Sequence, residues 1–349
     1  MLKNYKIQEI CTLEKGKQID TTCLNDSNPY QYINGGINAS GFYGKYNTDE
    51  NTVIVSEGGA SCGYVNYVTE KFWCGCHCYK LINPKVTPKY LYYALKGNQN
   101  SIMELRTGAA MPNIKKSSFN DMNIKLDDDK NVQATVISSL DKIQTLIDGK
   151  NTQLKSLDEL VKSRFIEMFG DAETSKFPTK KLHEVCEELF AGGDVKKNAL
   201  SPIKTIEYPV PIYTNGEKND GLYGYTNKAR VTKEAVTISG RGTIGYTSLR
   251  TEPFYPAVRL IVAVPNQIYI SGMYLKHFIS TLEYNGQGNT IPQLTVPMVK
   301  DELIPLPPIE LQNTFAEFVK QVDKSKFIVQ KQIEDLQELL DSKMDEYFG

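Results

Sequence analysis

The densest cluster of chemistry-bearing side chains is Cys74-Gly75-Cys76-His77-Cys78. Thiolate and imidazole are the ligands of zinc, so this string raises a metal site. Its spacing argues against one, because alternate cysteines along a strand share a face, whereas structural zinc sites gather pairs from separate turns. The expectation is a buried strand with no metal. Its counterpart later in the chain, Pro256-Ala257-Val258-Arg259-Leu260, reads as a plain apolar strand. With Cys11, Cys23, Cys62 and Cys186 the cysteines number seven, an odd count that fits free thiols better than a disulfide framework.

Other catalytic constellations are lacking in the sequence. The three histidines, His77, His183 and His277, are scattered and form no acid-base set. Neither a Gly-x-x-x-x-Gly-Lys-Ser/Thr nucleotide loop nor a Gly-x-Ser-x-Gly elbow is present. Asn28-Pro29-Tyr30 is too short for the Asn/Asp-Pro-Pro-aromatic tetrapeptide that an adenine methyltransferase needs. The chain is therefore not expected to be an enzyme in its own right.

The elements that must position any site come next. At 349 residues and 40% hydrophobic content the chain can hold two domains with real cores. It has neither a signal-peptide pattern nor an apolar run approaching the roughly 18 residues of a membrane span, which leads to a cytoplasmic expectation. A formal net charge of −1 carries no global signature of nucleic-acid binding, so any phosphate-facing surface must come from uneven placement of Lys and Arg.

The chain repeats itself once. Lys6-Ile7-Gln8-Glu9-Ile10-Cys11 returns as Lys181-Leu182-His183-Glu184-Val185-Cys186, and Tyr32-Ile33-Asn34-Gly35 as Tyr213-Thr214-Asn215-Gly216. Gly41-Phe42-Tyr43-Gly44 matches Gly221-Leu222-Tyr223-Gly224, and Gly58-Gly59-Ala60-Ser61-Cys62-Gly63-Tyr64 lines up with Gly240-Arg241-Gly242-Thr243-Ile244-Gly245-Tyr246. Met111-Pro112-Asn113-Ile114 pairs with Ile291-Pro292-Gln293-Leu294, and both halves end on Phe-Gly. The offset stays at about 180 residues, as a duplicated architecture requires.

Within each half the periodicity changes. Residues 1–130 and 175–309 are rich in Gly, Asn, Tyr and short β-branched runs such as Thr52-Val53-Ile54-Val55 and Leu260-Ile261-Val262-Ala263-Val264. They read as short strands and turns with one helix near Tyr90–Leu95 and its counterpart near Tyr274–Ile279, a compact mixed α/β domain in an α+β protein. In 131–170, Val136, Leu140, Ile143, Ile147, Leu154, Leu157, Val161 and Met168 fall on steps of four and three broken by gaps of seven, one of them around Gly149-Lys150; in 310–349, Phe315, Val319, Val322, Val329, Ile333, Leu336, Leu340 and Tyr347 do the same. Such a seam predicts coiled-coil helices, and two of similar length can pair with each other. Pro305, Pro307 and Pro308 place the start of the second near Glu310.

A globular domain followed by a long helix, twice and in this order, resembles the specificity subunits of Type I restriction-modification systems over essentially the whole chain. The residues that carry the likeness are the repeat blocks, above all Ser239-Gly240-Arg241-Gly242-Thr243-Ile244-Gly245, the Gln287–Leu294 stretch and Leu306-Pro307-Pro308-Ile309-Glu310-Leu311-Gln312. The first half departs from it: Leu126-Asp127-Asp128-Asp129 replaces the proline-rich helix entry, and Glu57-Gly58-Gly59 lacks the arginine. The resemblance implies that each domain is a target-recognition domain reading one half of a split double-stranded DNA sequence. It implies that the helices pair antiparallel as a spacer and dock two methyltransferase subunits. Those partners would bind S-adenosylmethionine and methylate adenine, and a motor-nuclease using ATP and Mg could join them.

In such a reader, Lys and Arg on phosphates supply affinity and polar groups on base edges supply specificity. In the second domain the basic residues Lys196, Lys197, Lys204, Lys218, Lys228, Arg230, Lys233, Arg241, Arg250, Arg259 and Lys276 modestly outnumber the acidic ones. Arg241, between two glycines, is the foremost candidate, with Asn215, Tyr223, Lys228, Arg230, Thr243 and Gln293 beside it. Asn34, Tyr43, Lys45, Arg106, Asn113, Lys115 and Lys116 are the candidates in the first domain. Turn chemistry alone accounts equally well for Asn34 and Asn215. A helix of about 35 residues spans roughly 50 Å, or about 15 base-pair steps. Two other readings stay open: a coiled-coil scaffold whose heads bind peptides, and the recognition subunit of another restriction-modification type.

Overall fold

A computed structural model describes residues 2–108, 111–170, 174–195, 200–282, 284 and 293–349. Lys196, Lys197, Ile291, Pro292 and most of the Gln287–Leu294 stretch lie outside the described residues. Two compact units divide the chain: Met1–Thr152 together with Gln330–Gly349, and Gln153–Val329. The second is a single stretch and the first is two, and each takes in part of both long helices.

The first unit is built on a four-stranded sheet in the order Thr12–Lys15, Cys78–Ile82, Thr52–Ser56, Val65–Val68. Beside it stands a three-stranded sheet ordered Gly41–Tyr43, Tyr30–Ile33, Phe72–Cys74, and the ribbon Lys3–Lys6 with Asn123–Leu126 closes the domain. The second unit repeats every ladder: Cys186–Ala191, Ile261–Pro265, Ala235–Ile238, Thr247–Arg250 in one sheet, Leu222–Thr226, Val210–Tyr213, Tyr255–Pro256 in another, and Thr179–Lys181 paired with Leu303–Pro305. The duplication in the sequence is thus a duplication of strand order. Ile261–Pro265 is buried along its whole length, which explains why it reads as an unbroken apolar run rather than an alternating one. The helices Pro88–Gly97 and Gly272–Thr281 pack on these sheets. Proline at the first turn starts one, and the Ser271 hydroxyl, accepting from the Tyr274 amide at 3.2 Å, caps the other.

The cysteine string is not one strand. Cys74 ends the strand Phe72–Cys74, Cys78 begins Cys78–Ile82, and residues 75–77 form the turn between them. Alternation therefore does not apply: Cys74 and Cys78 are buried, Cys76 is half-buried and His77 is exposed. Gly75 N donates to Ile33 O at 2.8 Å and Gly35 N to Cys78 Sγ at 3.0 Å, contacts that bend the chain there. The counterpart is likewise a turn, with Val258 and Arg259 at φ +50° and +61°. No group of three or more metal-ligating side chains occurs among the described residues.

The long helices run Lys130–Phe169 and Ile309–Phe348. Asp129 caps the first by accepting from Asn131 N at 2.8 Å, so the acidic run replaces the prolines with an equivalent start signal. A fully buried glutamine then ties each helix to the head before it. Gln133 accepts from Thr87 N at 2.9 Å and donates to Asp127 O at 2.9 Å, while Gln312 accepts from Ser271 N at 2.8 Å and donates to Pro307 O at 2.9 Å.

In the first unit Val136, Leu140, Ile143 and Ile147 share a core with Leu340, Met344 and Phe348, and the Tyr347 hydroxyl donates to Ser139 Oγ at 3.3 Å. In the second, Val161, Phe165 and Phe169 share one with Phe315, Val319 and Val322, and Lys326 pairs with Asp158 at 2.6 Å. Residue numbers rise on one helix as they fall on the other, so the pairing is antiparallel. Leu154 and Leu157 are partly buried, Ile333 and Leu336 pack at the edge of the first core, and Val329 is buried.

His277 sits in the second unit 5.2 Å from the Phe315 ring, its Nε2 desolvated with no partner among the described residues. Burial, reinforced by Lys276 and Lys326, pulls its pKa down to about 3. An unfolded histidine titrates near 6.5, so between these values the unfolded chain takes up a proton that the fold refuses. Stability should thus fall as pH drops below about 6.5, by at most about 1.4 kcal/mol per pH unit. His277→Gln should show a shallower acid-side loss of Tm between pH 7 and pH 5 than the parent; parallel profiles would refute this.

Candidate nucleic-acid interface

In the second unit the loop Gly240–Gly245 turns between the strands Ala235–Ile238 and Thr247–Arg250. Gly245 N donates to Ser239 O at 2.9 Å, and Gly242 and Gly245 take φ of +66° and +82°, a backbone that favours glycine and holds the loop tight. Arg241 lies between Gly240 and Gly242 at the start of this loop. Its Nη2 donates to Gln293 Oε1 at 3.1 Å, while its Nε is desolvated with no acceptor among the described residues. A guanidinium held by one amide keeps donor capacity for a further acceptor.

Asn215 organises the same place. Its Oδ1 accepts from Gly240 N at 2.7 Å and its Nδ2 donates to Val258 O at 2.6 Å, so the amide clamps two loops together. Gly216 N adds a bond to Ser239 Oγ at 2.9 Å. Asn215, Tyr223 and Arg241 meet with Thr214, Gly242 and Val258 around a cleft of about 270 Å³, with the Tyr223 side chain 58% exposed at its edge. Thr243 is exposed on the loop, and Gln293 joins through Arg241. Lys228 and Arg230 are not part of this cleft. They line a second one of about 660 Å³ with Asp194, Thr226, Asn227 and Tyr255, where Arg230 stacks 4.2 Å over the Phe190 ring.

The first unit keeps the scaffold and changes the chemistry. Asn34 Oδ1 accepts from His77 N at 3.1 Å, a bond to the equivalent turn made through the amide oxygen where Asn215 uses its nitrogen. Ile114 N donates to Glu57 O at 2.8 Å as Leu294 N does to Gly240 O, so the backbone aligns Glu57 with Gly240 and Gly58 with Arg241. The sequence register, which set Gly58 against Gly240, is off by one here because the first loop carries an extra residue before Gly63. Asn113, the counterpart of Gln293, bridges Gly58, the glycine that stands where the second loop has Arg241. The nearly buried Glu57 instead takes Lys15 at 2.7 Å and the Tyr79 hydroxyl at 3.0 Å, and burial with this bond raises the Tyr79 phenol so that it stays a donor.

The other first-domain candidates are dispersed. Arg106 is engaged within the fold, its Nε donating to Cys62 O at 2.8 Å, and Tyr43 packs edge-on to Trp73 at 5.0 Å. Lys45, Lys115 and Lys116 are exposed, the last opening the short helix Lys116–Asn120. Sequence reasoning also missed Asp220. Its carboxylate takes the buried Arg250 and the Tyr246 hydroxyl, and no local pattern links residues 30 positions apart.

The model of the Type I restriction modification DNA specificity domain matches this chain twice, over residues 2–156 and 174–338. A Mycoplasma genitalium chain named as a type I specificity subunit is 25% identical over 98% of this chain and 92% of its own length. A Mycoplasma pneumoniae chain named likewise is 23% identical over 96% and 93%. Among solved structures, the S subunit of a type I restriction-modification system from M. genitalium is similar in fold, with a TM-score of 0.59 at 21% identity over 100% of this chain and 96% of that one. A chain from work on complex assembly and conformational transition of the type I R-M system gives 0.58 at 14% identity, over 99% and 97%. With both heads and most of the helices inside the matched segments, this chain belongs to the Type I restriction-modification DNA specificity family and is a specificity subunit.

Proposed function

We propose that the chain reads a two-part DNA target, each head taking one short block of bases, with the paired helices holding the blocks at a fixed separation. The observation that carries this reading is the closed arrangement of each unit. A long helix leaves its own head through a buried glutamine, and the last turn of the other long helix packs against that head's helix. Phe348 lies 5.2 Å from Tyr90, and Phe169 lies 4.8 Å from Tyr274. Rigid junctions of this kind leave a head little freedom to vary its spacing.

The catalytic chemistry belongs to partners on this reading. Two methyltransferase subunits would dock on the helices, bringing S-adenosylmethionine for adenine methylation, and a motor-nuclease using ATP and Mg would join them. Outward-facing apolar side chains support docking: Phe327 and Ile328 are 73% and 57% exposed, and Ala134, Ile137, Thr145 and Leu146 line a groove on the first long helix. No helix among the described residues is long and apolar enough to cross a membrane, and we place the complex in the cytoplasm.

Inserting seven residues into each long helix adds about 10 Å, so the gap between the two methylated blocks should lengthen by about three base pairs. Mapping methylated adenines after expression with the methyltransferase partner reads this directly. An unchanged gap would rule out the rod, and a complex without salt-sensitive DNA association would favour the peptide-binding scaffold.

A further inference from the structure

The hairpin loop that leads into Tyr223 runs through three successive left-handed residues, Asn219, Asp220 and Gly221, at φ +51°, +52° and +74°. Asparagine and aspartate tolerate this region better than other side chains, but two of them in a row need holding. The holding group is Arg250, whose side chain is 5% exposed on the strand Thr247–Arg250. Its Nη1 pairs with the Asp220 carboxylate, its Nη2 donates to Asp220 O at 2.7 Å, and its Nε donates to Thr237 Oγ1 at 3.2 Å. The guanidinium lies 3.7 Å over the Tyr213 ring. The hydroxyls of Ser248 and Tyr246 complete the shell by donating to Asp220 Oδ1. Thr214 N closes the hairpin onto Gly221 O at 2.8 Å, and Thr214 and Tyr223 both line the cleft that holds Arg241.

The first head has no such pin. Val68 occupies the place of Arg250, since Thr52 pairs with Val68 as Ala235 pairs with Arg250 in the equivalent ladders. Ser40 precedes Gly41 where Asp220 precedes Gly221. We propose that Asp220 and Arg250 are a positioning pair that fixes the recognition loop of the second head alone, and so sets how strictly that head discriminates bases while the first head is unaffected. This rests on the reading of the heads as DNA readers.

Asp220 is the residue to change, because its side chain is half-exposed whereas removing Arg250 would empty a buried site, and Asp220→Asn keeps an acceptor for the buried guanidinium that Asp220→Ala leaves without a counter-ion. The complex with methyltransferase subunits, carrying Asp220→Ala or Asp220→Asn, is assayed for adenine methylation on duplexes bearing single base changes in either block. Asp220→Ala should lose about tenfold in discrimination against changes in the second block and keep the parent's discrimination in the first, with Asp220→Asn between the two. The slope of binding against salt should not change, since no phosphate contact is removed. Equal loss at both blocks would mean general destabilisation, and no loss at either would mean an idle ion pair; each overturns the proposal. A parent complex that shows no salt-sensitive DNA association would instead overturn the DNA-reader reading itself.

Discussion

Replacing Phe165 with alanine is expected to destabilise the second unit by about 3–5 kcal/mol. The ring is 1% exposed and lies 5.0 Å from Phe169, 5.3 Å from Phe315 and 5.5 Å from Tyr274. These neighbours come from both long helices and from the head's own helix, so the cavity cannot close by moving any one of them. Edge-to-face and offset pairs of this type add to simple burial. Denaturant unfolding should show the loss with an unchanged m-value. A change below about 1 kcal/mol would mean that the aromatic cluster does not hold helix to head.

Arg241→Ala is expected to weaken binding to the specific target by roughly tenfold to a hundredfold, the range in which a bidentate arginine discriminates bases at about 1–3 kcal/mol. Arg241→Lys should not restore it, because an ammonium cannot present two donors in a fork. Equilibrium titration at several salt concentrations separates the alternatives. A base contact lowers specific affinity and leaves the salt slope nearly intact, whereas a phosphate contact reduces the slope by about one and weakens all sequences alike. Unchanged affinity would remove Arg241 from the interface. The first head offers Gly58 at the equivalent backbone position, so it must discriminate by other groups.

The seam shows how far periodicity reaches. Val136, Leu140, Ile143, Ile147, Val161, Val322, Val329 and Leu340 are buried as the three-four spacing requires. Phe165, Phe169, Met344 and Phe348, also buried, were not on it. They follow steps of four, because near its end each long helix packs on a head's helix as well as on its long-helix partner. That contact follows the i, i+4 ridge of a straight helix rather than the heptad. The cysteine turn escaped because five residues are too few for periodicity to separate a turn from a strand, and the slip at Gly58 because the first loop carries one residue more than its copy, which an ungapped match hides.

The duplication, the two heads, the long helices and the candidacy of Arg241 were determined by sequence alone, because each is a local periodicity or a pattern that can be compared with its own copy. Tertiary structure alone decided which helix end meets which head, that Asn215 clamps two loops, and that Asp220 meets Arg250. Those outcomes depend on strand register and loop conformation, which bring together residues that share no spacing in the chain.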